Sequence, residues 1–571
     1  MLGVKKGGGW NRGNPSLPIS CHRAGTMDPE SIAQLLVTDY RVASQRGSEA
    51  QLWKQFFYGP IGTFRASISI AKKERNAPAL ASTQALFRAF LDDAIVFYAQ
   101  LIVRLANAHS LKRVARVVVA SGALKPFTLG MPDQPPLDER VDKDQVVLTC
   151  FQCLIYLGDL ARYRDSTAPA PSPAPKFYYN LAHILVPSSG NPFNQLAVLP
   201  QAASNDLTAA DLYARALCCS RPFPTARRNL ELCLARPRAF DGTDAILEAA
   251  RVLLLGPSTG AAGKNLDDGL GADFEARVGK PVLAAWIASL AAFNLDAIVM
   301  AQIARLLIAV RALLPSASPR GTDAGRLLWT LSQECIRVSL ERQNRITNVG
   351  QGVTESLADA LAFVHPVLAL VVRDPVQVPS HLWPVLVEFG NALMRGVDVR
   401  KFKNRMASIQ KQYRGVLDAE WVGFAPLDAR AFDFNTDGDF DEDLGEMAVD
   451  EDGTGGAVRP TEDDAGMEKV WLVLEAMWKV SSLPDSHIAF SGIRWRMGSE
   501  KENSPGRSSE KGPVLGRDFF EGELGGGLSD TRPPISTQAR SSAEAVFEAE
   551  MVAREDEKAE KAVEIGFVQM Q

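Results

Sequence analysis

The feature that most constrains this chain is a three- and four-residue recurrence of apolar side chains, sustained from about residue 30 to residue 395. Phe87, Phe90, Leu91, Ala94, Ile95, Tyr98, Leu101, Ile102 and Leu105 make one stripe. Ile298, Ile303, Leu306, Leu307, Val310 and Leu314 make another. A helix collects residues at these steps on one face, whereas a strand, with its period of two, would scatter them over both. Alternating β-branched runs are rare, and Val117 to Val119, the main ambiguous piece, is too short to support a sheet. The expected fold class is all-α.

Breakers divide the helical region. Residues 121 to 143 carry Gly122, Pro126, Gly130, Pro132, Pro135 and Pro136 and read as a loop. Residues 166 to 175 (STAPAPSPAP) form a Pro-rich connector, residues 256 to 271 are Gly-rich, and 315 to 324 form another turn cluster. Met27 is followed by Asp28, Pro29 and Glu30, a helix start in which the aspartate accepts from first-turn amides and the proline sacrifices no intrahelical bond. After Phe432 the composition changes. An acidic stretch (DGDFDEDLGEMAVDEDG) precedes one more apolar segment, Val470 to Val480. From about Ser499 onward Gly, Ser, Glu, Lys and Arg dominate, a composition expected to stay disordered apart from a charged helix near Ser541 to Ile565.

With 571 residues, 46% of them hydrophobic, the chain can bury a sizeable core. Its net charge of −5 gives no global attraction to nucleic acid or an acidic membrane, so such binding would need a local patch. The best membrane-span candidate, Val282 to Met300, is interrupted by Asn294 and Asp296 and reads as a core helix. The N-terminus lacks the apolar stretch of a signal peptide. Seven scattered cysteines argue against a disulfide framework. Cys150 and Cys153 form a CxxC, but no second pair follows at zinc spacing and Cys218–Cys219 is poorly placed to supply one, so buried thiols are expected rather than a metal site.

The informative stretch runs from Cys153 to Leu230. It reads CLIYLGDLARYRD, the Pro-rich connector, KFYYNLAHILVPSSGNPFNQLAVL, DLYARAL and PFPTARRNL. Antiparallel helices with small and aromatic residues at the packing positions follow the logic of a tetratricopeptide repeat. Gly158 and Ala161 let neighbours approach, Tyr178 and Tyr179 fill the groove between them, Pro187 and Gly190 stop one helix, and Pro192 helps start the next. These motifs resemble the telomerase-activating (ever-shorter-telomere) family and its relatives among the nonsense-mediated mRNA decay adaptors. LWKQFFYGPIGTFR (Leu52 to Arg65), RAFLDDAIVFYAQLI (Arg88 to Ile102), LWPVLVEFGNAL (382 to 393) and EWVGFAPL (420 to 427) extend the resemblance over roughly residues 30 to 430.

The resemblance implies a 14-3-3-like tetratricopeptide domain over residues 28–240 and an α-helical hairpin domain of DNA/RNA-binding type over 241–430. Around them stand an N-terminal extension (1–27), an acidic linker (431–466), a short apolar segment (467–498) and a mostly disordered tail (499–571). It also implies a phosphopeptide pocket. A phosphoserine carries nearly two negative charges and strong acceptors, so its receptor needs a guanidinium fork with a hydroxyl or second cation beside it. Arg162 and Tyr163 match the Arg-Tyr pair that this fold class uses on phosphate. Tyr58 stands where the family often has a lysine, and Lys54 or Arg65, which share its face if 54, 58, 61 and 65 follow helical spacing, could substitute. From spacing alone, Arg162 pairs with a local carboxylate such as Asp93 or Asp159.

A second feature is a basic run from Arg395 to Arg414, with Arg400, Lys401, Lys403, Arg405, Lys411 and Arg414 interleaved with Phe402 and Tyr413. Cations beside aromatics can hold a phosphate backbone and stack bases, although a solvated helix face explains such a run as well. Other signals fail. GPSTGAAGKN (256 to 265) has Ser258 and Asn265 where a P-loop needs Gly and Ser/Thr, and DFNTDGDFDEDL (433 to 444) ends on Leu444 where a calcium loop needs Glu. His183, on an apolar helix, reads as a packed residue, and no nucleophile elbow, HExxH or paired-carboxylate motif is present. The expectation is a non-catalytic adaptor without cofactor or metal, working in nucleus and cytoplasm. Its implied partners are a phosphorylated RNA helicase of the decay pathway, mRNA turnover factors and a related adaptor in a hetero-oligomer. The alternative is a telomerase accessory protein that binds telomerase RNA or single-stranded telomeric DNA.

Overall fold

The computed structural model describes most of residues 28–394, with breaks at 129–140, 168–170, 257–273, 293–294, 347–354 and 374–377 besides single positions, then Arg400 and a set between 470 and 497. The N-terminal extension, the acidic linker and the tail beyond Met497 lie outside the described residues.

Helices follow one another almost without interruption. They are α1 (Pro29–Thr38), α2 (Tyr40–Gln45), α3 (Ser48–Leu52), α4 (Gly59–Lys73), α5 (Ala77–Ala108), α6 (Lys112–Val114), α7 (Lys125–Thr128), α8 (Lys143–Asp165) and α9 (Ala174–Leu185). Next come α10 (Asn191–Ala202), α11 (Asp206–Leu217), α12 (Thr225–Leu234), α13 (Gly242–Leu255), α14 (Lys280–Ala291), α15 (Ala297–Leu313), α16 (Pro319–Ile346), α17 (Glu355–Arg373) and α18 (Leu382–Met394). Helix α1 starts where its sequence indicates, with Asp28 accepting the Ser31 amide at 3.0 Å. Asn76, Asn205 and Asp296 cap α5, α11 and α15 in the same way. Each such cap satisfies an amide the helix cannot, an effect of about 1 kcal/mol.

The stripe from Phe87 to Leu105 is buried along α5, which packs on both α4 and α8. Its aromatic members meet Phe57, Phe64 and Trp53, and Trp53 stacks flat on Tyr156 of α8 at 4.1 Å between centroids. Each helix from α8 to α12 then packs against the next in antiparallel pairs. The close approach of α8 and α9 depends on Gly158: a Cβ there would lie 2.2 Å from the Tyr179 ring. Gly190 has the same role beside α11, where a Cβ would meet the Ala216 carbonyl oxygen at 2.1 Å.

The expected boundary near residue 240 is crossed by tight packing. Arg305 of α15 reaches Asp211 of α11 with Nε–Oδ2 and Nη2–Oδ2 distances of 3.0 and 2.9 Å, both side chains almost fully buried. Gln302 donates to Thr208 beside them. Further on, α15 packs on α17 and α16 on α18.

One reading is corrected and two open segments gain a structure. Val282 to Met300 is two helices, because Asp296 caps a new one. Among the described residues the helix long and apolar enough to cross a membrane is instead Lys143–Asp165, whose apolar window is 67% buried inside the protein. Val117 to Val119 belongs to a single π-helical turn, Ala115–Val119. The apolar segment near 470 to 497 ends in a small hairpin, β1 (Ile488–Phe490) against β2 (Trp495–Met497), seated on α18. There the Asn391 side chain pairs both ways with the Trp495 backbone, accepting its N–H at 2.7 Å and donating to its carbonyl at 3.1 Å.

Candidate functional site

Arg162 lies in the last turn of α8 on the face turned toward α9. Its Nη2 donates to Asp159 Oδ1 at 2.9 Å, and its Nε approaches the Tyr179 hydroxyl at 3.4 Å. Tyr179 closes the triangle by donating to the same Asp159 oxygen at 2.7 Å. Of the two carboxylates that spacing offers, the partner is therefore Asp159, three residues back on the same helix. Asp93 stands apart, its carboxyl raised by burial and then by neighbouring Asp92. For Arg162 burial opposes the charge, but Asp159 and then Tyr179 outweigh it and hold the guanidinium protonated. This triangle fixes the guanidinium while engaging, among the described residues, two of its five N–H donors.

Tyr163 joins the cluster through its ring. The Arg162 guanidinium carbon lies 4.8 Å from the ring centroid, and that of Arg65, from α4, lies 5.5 Å from it. Burial first, then Asp159, pushes the Tyr163 phenol up to about 12, so it remains a neutral donor at any working pH. Arg65 is exposed and makes no ion pair among the described residues. Two guanidiniums from different helices thus converge on one aromatic ring, with one carboxylate beside them.

The expected common face of 54, 58, 61 and 65 does not form. Trp53–Tyr58 is a π-helical turn, with an i→i+5 ladder that inserts an extra residue per turn, so α-helical spacing fails across it. Ile61 is buried, whereas Lys54 and Arg65 are exposed and Tyr58 is half-buried against Trp53. Arg65 and Tyr58 both stand near Tyr163, while Lys54 sits at the outer edge of the π turn. The π turn itself was invisible in the sequence; the Gly59–Pro60 pair directly after it was the available signal.

Arg164 points elsewhere, pairing with Asp92 at 3.0 Å. Farther along α9, the His183 ring rests 4.5 Å from that of Phe193 on α10, and the Arg215 guanidinium of α11 covers Phe193 at 4.1 Å. Burial, then Arg215, pushes the His183 imidazole down to about 3. Sequence reasoning placed His183 as a packed residue and did not single out Arg215. Cys150 and Cys153 are buried free thiols, raised by burial, and no cluster of potential metal ligands occurs among the described residues. Of the basic run, Arg400 is exposed, while Lys401, Lys403, Arg405, Lys411 and Arg414 lie outside the described residues.

Similarity to known proteins falls on this region. Residues 47–167 match the family described as telomerase activating protein Est1, and residues 175–241 match the Est1 DNA/RNA binding domain. The second match begins well before the domain boundary expected at residue 241. A nonsense-mediated mRNA decay factor SMG7 of Danio rerio is 33% identical over 207 residues, covering 36% of this chain and 16% of that protein. The SMG7 of Arabidopsis thaliana is 29% identical over 230 residues, 37% of this chain and 21% of that protein. A telomerase-binding protein EST1A of Danio rerio is 24% identical over 198 residues, 34% of this chain and 12% of that protein. The chain therefore matches about a fifth or less of the length of these relatives. A crystal structure of Est1 and Cdc13 shares the fold with a TM-score of 0.52 at 13% identity, covering 83% of this chain and 95% of that one.

Proposed function

We propose, from the premise that residues 47–167 and 175–241 belong to the telomerase-activating Est1 family, that this chain is a non-catalytic adaptor of nonsense-mediated mRNA decay whose helical head binds a phosphorylated segment of the decay RNA helicase. The observation that carries the reading is the convergence of Arg65 and Arg162 on the Tyr163 ring. A phosphate monoester rewards donors held in place before it arrives, since little ordering entropy is then lost on binding. Asp159 and Tyr179 hold Arg162 in this way. Arg65 supplies the second cation that Tyr58 cannot, and the Tyr163 hydroxyl is the neutral donor between them. Asp159 subtracts one charge, which leaves a single net positive charge to meet a dianion. Such a site favours phosphopeptides over unmodified ones without binding every acidic segment.

Binding in this reading places the helicase segment across the α8–α9 hairpin, and the remaining helical body recruits turnover factors or a related adaptor, in nucleus and cytoplasm. The test is fluorescence anisotropy with paired phosphorylated and unphosphorylated Ser-Gln peptides. Wild type binds only the phosphorylated member, and Arg162→Ala and Arg65→Ala each weaken that binding at least tenfold, as expected for loss of a charge-assisted contact of roughly 1.5–3 kcal/mol. Equal binding of both peptides by wild type would overturn it.

A second reading is favoured by the family description over residues 175–241: a telomerase-associated protein that binds single-stranded nucleic acid. It predicts strongly salt-dependent binding of telomerase RNA or single-stranded telomeric DNA, weakened uniformly by replacing Arg400, Lys401, Lys403, Arg405, Lys411 or Arg414.

A further inference from the structure

Contacts along α8 fix where its neighbours carry their charges. On α5 the partners descend as those on α8 rise, from Tyr98 against Tyr156 to Asp92 against Arg164, so Arg88, one turn farther, lies past the C-terminal end of α8. On the α4 side they rise together, from Trp53 on Tyr156 to Arg65 on the Tyr163 ring. Lys72 shares the face of Arg65, two turns on and about 10 Å farther at 1.5 Å per residue, and so lies past that same end. Lys73 adjoins it, and Arg75 stands in the turn to α5. From Gly59 to Leu91 the chain carries these five cations and one acid, Glu74, in a protein of net charge −5. All five cations are exposed, and none has a side-chain hydrogen bond or an ion pair among the described residues. The helix dipole accounts for Lys72 and Lys73 in the last turn of α4, but not for Arg88 inside α5.

We infer that Lys72 and Arg88 extend the site of Arg65 and Arg162 in one direction, and that they bind acidic side chains on one side of the phosphoserine. The proposal rests on the phosphopeptide reading of Arg65 and Arg162. An extended peptide covers the rise from Arg65 to Lys72 in about three residues, which sets the position of the acid. The two directions from the phosphate differ in charge. Toward the end of α8 a peptide carboxylate meets Lys72 and Arg88, and Asp165, the last residue of that helix, is taken up by the Ser172 amide and hydroxyl. One turn back along α8 it meets Asp159, a carboxylate already beside Arg162. The surface therefore favours acids on one side and gains nothing from them on the other. Because Lys72 and Arg88 are exposed, the gain is modest and falls as salt screens it.

The experiment titrates the full chain with fluorescent Ser-Gln peptides and reads anisotropy at low and high salt. Each peptide is made phosphorylated and unphosphorylated, with Ala on both sides of the serine, or with Glu or Lys about three positions before or after it. Wild type, the double variant Lys72→Glu/Arg88→Glu and Arg162→Ala are compared, with thermal melts to verify that each is folded. In wild type, Glu on one side tightens phosphopeptide binding about two- to fivefold at low salt, and Glu on the other side does not. The double variant still binds the phosphorylated Ala peptide but prefers Lys to Glu on the sensitive side. A gain from Glu that is equal on both sides, absent from both, or unchanged in the double variant overturns the proposal and leaves the phosphate reading intact. A one-sided gain that depends on Lys72 and Arg88 but not on phosphorylation keeps the acid-binding face and overturns the phosphate reading. Failure of every peptide to bind overturns both.

Discussion

Two arginine–carboxylate pairs of nearly the same length have opposite consequences in this molecule. Arg162 and Asp159 meet at 2.9 Å within one helix, three residues apart, with side-chain exposures of 27% and 14%. Arg305 and Asp211 meet at the same distance from different helices, 94 residues apart in sequence, with exposures of 10% and 3%. The first pair can be lost cheaply, because water reaches both partners and the helix positions them anyway. The second joins α11 to α15, and removing either partner takes the ion pair away from a charge that stays buried. Distance is common to both; burial and sequence separation decide which pair holds the fold and which holds a side chain ready for a ligand.

Four changes test that contrast, from the largest effect downward. Asp211→Ala removes the carboxylate that Arg305 pairs with between α11 and α15 and costs about 3–5 kcal/mol, read as a lowered midpoint in chemical or thermal unfolding. If the loss stays under about 1 kcal/mol, water reaches the pair and the contrast with Arg162 collapses. Gly158→Ala puts a methyl group into the Tyr179 ring and costs about 1–3 kcal/mol, with a loss of phosphopeptide binding from the displaced Tyr179–Asp159–Arg162 triangle.

The third test is acid. The folded His183 has its pKa lowered from 6.5 to about 3, so between those values the unfolded chain binds a proton that the folded chain does not. The stability contributed by a neutral His183 is therefore complete above pH 6.5 and is lost progressively as pH falls toward about 3. His183→Phe flattens that part of the stability–pH curve, and an unchanged slope in the variant would contradict the assignment. The smallest effect is expected of Arg162→Ala, which changes stability by no more than about 1 kcal/mol while removing phosphate-dependent binding. A large loss of stability there would make Arg162 a structural clamp like Arg305.

Much of the scaffold is legible in the sequence. The apolar stripe of α5, the Asp28 start and the packing glycine at 158 follow from local pattern, because helices are built from contacts three and four residues apart. The Arg162–Asp159 pair was legible for the same reason, as one of two options. What sequence could not give depends on distant or irregular backbone. Arg65 reaches Tyr163 because α4 leaves a π turn, which breaks the helical spacing that would put Lys54, Tyr58 and Arg65 on one face. Asp211 and Arg305 are unremarkable residues on separate helices until packing brings them together. Asn294 and Asp296 are visible as an interruption, but that Asp296 starts a new helix is not, because both flanking segments are apolar and a cap looks like any other polar residue.

The pairing of Asn391 with Trp495 has a practical side. An asparagine side chain carries the same amide as the backbone, and here it stands in for a missing neighbouring strand, so the little hairpin is completed by a helix. Trp495 and Met477 fill the space above Gly390, and with them removed the outer surface of α18 would be a greasy scar. A recombinant fragment cut at residue 430, where the helical motifs end, would expose it and tend to self-associate. One carried through Met497 keeps its own lid and is the better unit for purification and crystallisation.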